Sequence, residues 1–383
     1  MKIVLAPDSF KESMTAAQAV AAMERGVRRV HPDATCVRVP MADGGEGTAQ
    51  AVVDALGGEL RTVDALDALG RPVRATYGLV AAPGGTDGGA SIAVVEVAAA
   101  IGLARIDPAE REPLAATSAG AGLLLLDALD QGAGRVVVGL GGTATNDGGA
   151  GLLRALGAVL RDAEGRALVA HGAPALAAVT SVDLTGLDAR LAGLDLLVAC
   201  DVTSPLLGPA GATAVFGPQK GVDAVRAPVL EAGLARLASA LHAAVGHDVA
   251  AVPGAGAGGG LGAALLALGG RLVPGVELVA RAVGLAECLV GADLVLTGEG
   301  AVDAQTARGK TPAGVAGLAA AAGVPVIAFA GRVLDPAPLL ELGVLDVVEI
   351  TPPGMPRAEA LARGAEHLER AVAAALLARA DVG

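Results

Sequence analysis

Several polar, glycine-containing segments follow short apolar runs, and the first is PDSFKES at residues 7–13. It places a carboxylate, two hydroxyls and a lysine in one loop ahead of a helical stretch. Such a loop can hold the carboxylate or phosphate of a ligand. We therefore predict that Asp8, Ser9 and Lys11 contact a substrate and that Lys11 is also a catalytic candidate, although an ordinary β–α turn with a solvated lysine would use the same residues.

A second polar segment is MADGGEGT at residues 41–48. Its glycines let a ligand approach the backbone closely, and its two carboxylates could orient a hydroxyl group or bind Mg²⁺. The alternative is a turn in which Asp43 caps the following helix. We predict substrate contacts from Gly44, Gly45 and Glu46, with Asp43 as a catalytic candidate.

The densest cluster is GLGGTATNDGGAG at residues 139–151, directly after an apolar run. Its glycines bring backbone N–H groups together, its hydroxyls can contact phosphate oxygens, and Asp147 offers a negative group to Mg²⁺. The segment predicts a phosphate or nucleotide site formed by Gly141, Gly142, Thr143, Thr145 and Asn146.

Other strand ends add candidates, each of which could instead be a helix cap or a surface ion pair. Asp201 follows an apolar run, so burial would raise its pKa and suit it to act as a general base; we rank it first and Asp43 second. Gln219 and Lys220 are predicted phosphate contacts. Glu299 and Asp303 are predicted metal ligands.

Two familiar nucleotide motifs are not supported. The segment AQTARGKT at 304–311 resembles a P-loop, but it begins with Ala and lies too far from the preceding strand, so only Lys310 is kept as a phosphate contact. The GxGxxG match at 254–259 follows Pro253 where a buried strand should stand, which argues against a nicotinamide oxidoreductase.

These segments need a scaffold, and the apolar runs predict one. Five runs have the character of buried parallel strands, and Ala-rich helical stretches alternate with them; the runs are 3–6, 36–40, 294–297, 324–328 and 347–350. They predict a flavodoxin-like, doubly wound α/β domain formed by residues 1–60 and 285–383 and interrupted by a second α/β domain at 61–284.

Within the second domain, further strands are predicted at 71–80, 91–98, 136–140 and 194–199, the first two paired around the turn APGGTDGG. In the first domain, Thr15 and Gln18 can form a capping box, and the segment 357–380 has helical periodicity. Ligands of open α/β sheets bind beyond the carboxyl ends of the strands. We therefore expect the active site in the cleft between the domains.

Composition excludes several classes of function. The chain is 53% hydrophobic and 18% charged, as in globular proteins, and its net charge of −12 with 1% aromatic residues disfavours nucleic-acid binding. Three separated cysteines fit a reducing cytoplasm rather than a disulfide framework. The uncharged stretch at 249–270 is too rich in glycine for a membrane helix, so no membrane partner is expected.

Seven segments, taken in order, resemble the glycerate kinase family that includes the bacterial glycerate 2-kinases: APDSFKES, PMADGGEGT, GLGGTATNDGGAG, ACDVTSPLLG, VFGPQKG, PGAGAGGGLGAAL and LTGEGAVDAQTARGKTP. The resemblance implies ATP and Mg²⁺ as cofactors, D-glycerate as substrate and 2-phosphoglycerate as product. It also implies a flavodoxin-like domain interrupted by a second α/β domain.

The sequence departs from the family pattern at three positions, and one of them is Thr143, which stands where Ser is common. The family usually has Arg at the position of Ala301 and Ser at that of Ala304, while Glu299, Asp303, Gln305 and Thr306 are retained. A kinase for another small hydroxy acid and a non-catalytic nucleotide- or metabolite-binding module stay open as alternatives, and so does a homo-oligomer.

Overall fold

The computed structural model describes residues 1–45, 47–81, 91–304, 306 and 309–380. Glu46, Gln305 and the predicted turn APGGTDGG lie outside these residues. The chain divides into two compact units. The first unit comprises Met1–Asp43, Gln50–Gly57 and Pro274–Gly383, and the second comprises Gly44–Ala49 and Gly58–Val273.

Within the described ranges the strands are β1 (Lys2–Pro7), β2 (Thr35–Arg38), β3 (Glu59–Leu66), β4 (Pro72–Ala81), β5 (Ser91–Glu96), β6 (Ala133–Gly139), β7 (Val159–Arg161), β8 (Ser181–Asp183), β9 (Asp195–Ala199), β10 (Arg271–Val273), β11 (Leu294–Val302), β12 (Val326–Val333) and β13 (Asp346–Glu349).

The α-helices there are α1 (Ala16–Val30), α2 (Thr48–Leu56), α3 (Ala98–Ile101), α4 (Ala119–Asp130), α5 (Ala150–Ala155), α6 (Gly172–Ala178), α7 (Ala212–Phe216), α8 (Arg226–Val245), α9 (Ala257–Ala267), α10 (Gly275–Ala282), α11 (Leu285–Leu289), α12 (Thr311–Ala321), α13 (Ala337–Glu341), α14 (Arg357–Ala362) and α15 (Gly364–Ala380). Short 3₁₀ helices lie at Leu103–Arg105, Pro108–Glu110, Ala189–Gly193 and Pro218–Lys220.

The first unit contains a parallel sheet with the strand order β13-β12-β11-β1-β2. Each neighbouring pair is parallel. These are the five strands predicted from apolar runs, and their order is that of a flavodoxin-like sheet. The predicted fold class, a flavodoxin-like α/β unit interrupted by a second α/β unit, is confirmed.

The helices of the first unit enclose a separate core that includes Ile3, Leu5, Met23, Phe329 and Leu368. The predicted capping box starts α1, because the Thr15 side chain accepts from Gln18 N and the Gln18 side chain accepts from Thr15 N. The predicted helix over 357–380 is two helices, α14 and α15. They meet at Gly364, where a Cβ atom would lie 2.1 Å from Ser13 Oγ.

The second unit contains a six-stranded sheet with the order β10-β9-β6-β5-β4-β3. The four strands from β10 to β5 are parallel, whereas β4 is antiparallel to both of its neighbours. The strands predicted around 71–80, 91–98, 136–140 and 194–199 are confirmed as β4, β5, β6 and β9. The second unit has its own core, with Leu124, Val138, Leu152 and Leu237 fully buried.

None of the helices in the described parts of the chain combines the length and the apolar character that a bilayer span requires.

Candidate functional site

The first unit carries a cavity of about 680 Å³ beyond the carboxyl ends of β1, β11, β12 and β13. This is the position in which open α/β sheets bind ligands, and the size suits a small molecule or a nucleotide. One part of its lining is polar, with Asp8, Ser9, Lys11, Asp43, Glu299 and Lys310. Another part is mostly apolar, with Ile350, Pro352, Pro353, Met355, Ala360 and Leu361.

Asp8 directly follows β1 and is half-buried. Its Oδ1 accepts from Ser9 N at 2.5 Å, and its Oδ2 accepts from Thr311 Oγ1 at 2.6 Å. Burial, and then the nearby charge of Asp43, raises the pKa of Asp8 to about 6. The carboxyl group therefore titrates near neutral pH, which is common at functional sites.

Glu299 lies in β11 and is 9% exposed. Its Oε1 accepts from Thr306 Oγ1 at 2.9 Å, and Lys310 Nζ lies 3.8 Å from its Oε2 and 3.6 Å from Asp303 Oδ1. Burial raises the pKa of Glu299 to about 7; Lys310 and Thr306 oppose the rise, and Asp8 and Asp43 add to it. The carboxyl groups of Asp8, Asp43 and Glu299 thus lie close together at one end of the cavity, where a proton or a cation would relieve their repulsion.

This acidic end does not form an all-protein metal site. Among the described residues, no group of three or more His, Cys, Asp or Glu side chains could hold a metal ion. Mg²⁺ is commonly held by one or two carboxylates together with phosphate oxygens and water. The carboxylates present fit a Mg²⁺ ion that arrives with a phosphate ligand, and Glu299 and Asp303 stay predicted ligands on that basis.

The second unit contains the glycine-rich loop that follows β6. Gly141 and Gly142 are exposed, whereas Thr143, Thr145, Asn146 and Asp147 are buried. The Asp147 carboxylate accepts from Ser118 N at 2.8 Å, Ser118 Oγ at 2.9 Å, and Gly149 N and Gly151 N at 3.1 Å. These bonds occupy the side chain that was predicted to bind metal, and they hold the loop in shape.

Lys220 forms hydrogen bonds with the glycine-rich loop that follows β6 and is only 2% exposed. Its Nζ donates to Thr145 O at 2.7 Å and to Thr143 Oγ1 at 3.2 Å. Burial lowers the pKa of Lys220 to about 7, although Asp147 opposes the change.

Two buried acceptors of the loop, Thr145 Oγ1 and Asn146 Oδ1, have no hydrogen-bond partner within the described part of the chain. Asn146 Nδ2 donates to Thr213 Oγ1 at 3.0 Å. Neighbouring Gln219 is exposed, and its carbonyl oxygen accepts from Arg111.

The segment with Gly44 and Gly45 belongs to the second unit, where it lies against the end of β6. A Cβ atom on Gly139 would stand 2.6 Å from Gly44 O, so only glycine fits there. Glu96, which the sequence analysis did not select, holds the same segment by accepting from Gly47 N at 3.2 Å and Ala49 N at 2.8 Å.

Asp201 lies just past β9, as predicted, but it is exposed. The desolvation expected to suit it for proton transfer is therefore not found. The prediction of burial was wrong because a residue that follows a buried strand can lie in a solvent-exposed loop. Its assignment as a general base stays a prediction without that support.

Most of the predicted site residues therefore belong to one of two groups, and Gly44, Gly45, Asp201, Gln219 and Asp303 are described residues outside both. Asp8, Ser9, Lys11, Asp43, Glu299 and Lys310 line one cavity in the first unit. Gly141, Gly142, Thr143, Thr145, Asn146, Asp147 and Lys220 form the loop and its support in the second. Four residues were not predicted from the sequence: Glu96, Ser118, Thr311 and Arg332. A Ser or Thr at a helix start is a recognisable signal for Ser118 and Thr311, whereas Glu96 and Arg332 have no such signal.

The fold and this site define the class of the protein, an α/β protein whose flavodoxin-like unit has a carboxylate-lined ligand cavity beyond its strand ends. A sequence model of the glycerate kinase family matches residues 3–379. The chain belongs to the glycerate kinase family.

Curated relatives match over nearly their whole lengths. The chain is 46% identical to the glycerate kinase of Halalkalibacterium halodurans, with 96% of both chains covered. It is 44% identical to the glycerate 2-kinase of Escherichia coli, with 91% of this chain and 90% of the relative covered. A crystal structure described as glycerate kinase 2 from Salmonella typhimurium LT2 matches with a TM-score of 0.89 and 44% identity, covering 100% of this chain and 99% of the other.

Proposed function

We propose that this protein transfers the terminal phosphoryl group of ATP to the C2 hydroxyl of D-glycerate and so forms 2-phosphoglycerate. The observation that carries the proposal is the crowding of Asp8, Asp43 and Glu299, together with Lys11 and Lys310, at one cavity of a chain in the glycerate kinase family. Phosphoryl transfer is catalysed mainly by positioning and charge neutralisation, and this cavity offers groups for both.

Substrate binding is assigned to the loop after β1. Lys11 is an exposed cation that lines the cavity beside Ser9. A cation and a hydroxyl group can hold the carboxylate of a small hydroxy acid even though the whole protein repels anions. Asp8 is anchored by Thr311 and orients this loop from within.

A carboxylate must take the proton of the attacking hydroxyl as the new O–P bond forms and the bond to the leaving ADP breaks. Asp43 is our first candidate, because it lines the cavity with Asp8 and Glu299. Asp201 is the second, since it is exposed and lacks the burial that favoured it. The pKa of Glu299 is raised to about 7, and a cation bound beside it would favour its charged form.

Magnesium fits the acidic end of the cavity as a partner of the nucleotide. Glu299 and Asp303 would hold it, and it would neutralise charge on the phosphate oxygens during transfer. We assign the exposed backbone of Gly141 and Gly142 to the nucleotide phosphates. The buried groups Thr143, Thr145, Asn146, Asp147 and Lys220 keep that backbone in place, and exposed Gln219 is a further phosphate contact.

The proposal is tested by following ADP release from MgATP with D-glycerate, and with glycolate or lactate as other small hydroxy acids. We expect ADP only with glycerate, and a loss of at least 100-fold in kcat for Asp43→Asn but not for Asp201→Asn. Preference for another hydroxy acid would favour the broader kinase class. Binding of ATP without any acceptor-dependent turnover would favour a non-catalytic module.

A further inference from the structure

Arg332 lies on β12 and is exposed. Its Cα partner on the neighbouring strand β11 is Ala301, and Glu299 pairs with Ala330 in the same register. Side chains alternate along a strand, so Glu299, Ala301 and Arg332 all project from one face of the sheet. In agreement, all three line the cavity described above.

The cations of this cavity differ in whether they already have a partner. Lys310 lies within 4 Å of Glu299 and Asp303, and Arg357 pairs with Glu12 at 2.9 Å. Arg332 and Lys11 make no hydrogen bond or ion pair with any residue in the described ranges. An unpaired guanidinium at a ligand cavity presents a fork of N–H donors that matches an oxyanion such as a carboxylate or a phosphate.

The neighbouring position on β11 carries a small apolar side chain. The resemblance to the family implies an arginine at the position of Ala301, and the methyl side chain of Ala301 cannot supply a charge. Because residues 301 and 332 are register partners, side chains at either position reach the same part of the cavity. The short side chain at 301 also leaves room for a long one at 332.

We propose that Arg332 binds an oxyanion of the bound substrates and supplies from β12 the guanidinium that position 301 lacks. The oxyanion is the carboxylate of the hydroxy acid or a phosphate of the nucleotide, which share the same recognition chemistry. This inference rests on the proposed function for its kinetic test, but its binding test does not need turnover.

The test compares four proteins with the wild type: Arg332→Ala, Arg332→Lys, the double variant Ala301→Arg/Arg332→Ala, and Arg236→Ala. Arg236 is the matched control, an exposed arginine on α8 of the second unit. The thermal unfolding midpoint of every variant should match the wild type, because both arginines are exposed and bind nothing within the described ranges. Calorimetry then measures the Kd of D-glycerate and of MgATP, and ADP release gives kcat/KM.

We expect Arg332→Ala to lower kcat/KM about 10- to 100-fold, as for the loss of a charge-assisted hydrogen-bonding pair. A weaker Kd for glycerate alone assigns the carboxylate, and a weaker Kd for MgATP alone assigns the phosphate. Arg332→Lys should recover part of the loss, since it keeps the charge without the fork. The double variant should recover to within about threefold of the wild type.

Two results would overturn the inference. If Arg332→Ala matches Arg236→Ala within twofold in both Kd values and in kcat/KM, Arg332 binds no substrate oxyanion. If Arg332→Ala loses activity and the double variant does not recover, the two positions do not serve the same contact. A wild-type protein that binds glycerate and MgATP without turnover would refute the proposed function, while the Kd comparison would still decide the role of Arg332.

Discussion

At the scale of single residues, the site is defined by ionisable groups in surroundings that oppose their usual charge. Burial favours the uncharged form of each group: it raises the pKa of Glu299 and of Asp8, and it lowers the pKa of the Lys220 amine. Such groups cost folding free energy whenever they carry charge without a partner. The effect of Lys220 can be separated from that of the two carboxyl groups, because the pKa of Asp8 is raised to about 6 and that of Glu299 to about 7, whereas the pKa of Lys220 is lowered from 10.5 to about 7.

Replacement of Glu299 by Gln should stabilise the protein above pH 7. The pKa of Glu299 is raised from 4.5 to about 7, so the folded state binds more protons than the unfolded state between these values. The wild type therefore loses stability as pH rises through that window, and the variant does not. At pH 8, urea unfolding should give Glu299→Gln a free energy of unfolding about 1 to 3 kcal/mol larger than that of the wild type. This difference should shrink toward zero at pH 4.5.

The control for this experiment is Glu341→Gln, which changes an exposed glutamate at the end of α13. It should leave the pH dependence as in the wild type. A Glu299→Gln protein whose stability follows the wild type at both pH values would show that Glu299 is not desolvated.

Replacement of Lys220 by Met should remove a rise in the free energy of unfolding that the wild type shows as the pH increases above about 7. The pKa of Lys220 falls from 10.5 to about 7 on folding, so the unfolded state binds the extra proton between these values. The contribution of Lys220 to stability therefore rises with pH across this window, by at most roughly 1.4 kcal/mol per pH unit. The free energy of unfolding should rise more between pH 7 and pH 9 for the wild type than for Lys220→Met, as measured from urea unfolding curves at both pH values.

Lys2→Met serves as the comparison, because Lys2 makes an exposed hydrogen bond to Val290 O. It should track the wild type at both pH values. Parallel curves for Lys220→Met and the wild type would mean that the buried amine keeps its ordinary pKa.

At the scale of elements, the loop after β6 depends on the glycines that open α9. Gly258, Gly259 and Gly260 all have positive φ, and a Cβ atom on Gly259 would stand 1.9 Å from Thr145 O. The backbone of α9 thus packs directly on the loop that contains Thr145, Asn146 and Asp147. A side chain at this contact must displace backbone, which cannot yield as a flexible side chain can.

Gly259→Ala should therefore be far more damaging than an alanine at another positive-φ glycine. Gly269 has a φ of +84°, and a Cβ atom there would meet nothing within 4 Å. We expect Gly269→Ala to cost about 1 kcal/mol from backbone strain alone and Gly259→Ala about 3 kcal/mol or more. Thermal unfolding of both variants measures the difference, and equal midpoints would contradict the close packing.

The elements also differ in how far the sequence predicted them. Strands such as β1 and β11 were predictable because buried parallel strands are continuous apolar runs. β3 was not predicted because it is a partly exposed edge strand. Its charged residues Glu59, Arg61 and Asp64 hide the alternation of apolar and polar side chains that marks a strand. Arg332 could not be selected, since its importance arises from its register with Ala301, a contact between segments distant in sequence.

At the scale of the whole molecule, the chain folds as two units that each bury a separate apolar cluster. The cluster around Leu124, Leu152 and Leu237 lies entirely within the second unit, and the cluster around Ile3, Phe329 and Leu368 lies within the first. The apolar runs predicted this division into a flavodoxin-like unit and an interrupting unit. They could not predict which polar side chains become buried, because burial depends on which segments of the folded chain pack around each side chain. Lys220, at the end of a 3₁₀ helix, is buried, whereas Asp201, after β9, is exposed.

A fragment spanning residues 58–273 should fold without the rest of the chain, because it contains the whole six-stranded sheet and its core. We expect circular dichroism of an α/β protein and one cooperative thermal transition. A fragment of residues 58–193, which lacks β9 and β10, is the matched control and should not unfold cooperatively. A non-cooperative melt for 58–273 would contradict the independence of its core.

A phosphorus NMR spectrum of the purified protein with MgATP and D-glycerate tests most directly whether this protein phosphorylates the C2 hydroxyl of glycerate. We expect the resonance of 2-phosphoglycerate to grow as that of the ATP γ-phosphate declines, and we expect Asp43→Asn to suppress this growth. Release of inorganic phosphate alone, or the appearance of 3-phosphoglycerate in place of the 2-isomer, would contradict it.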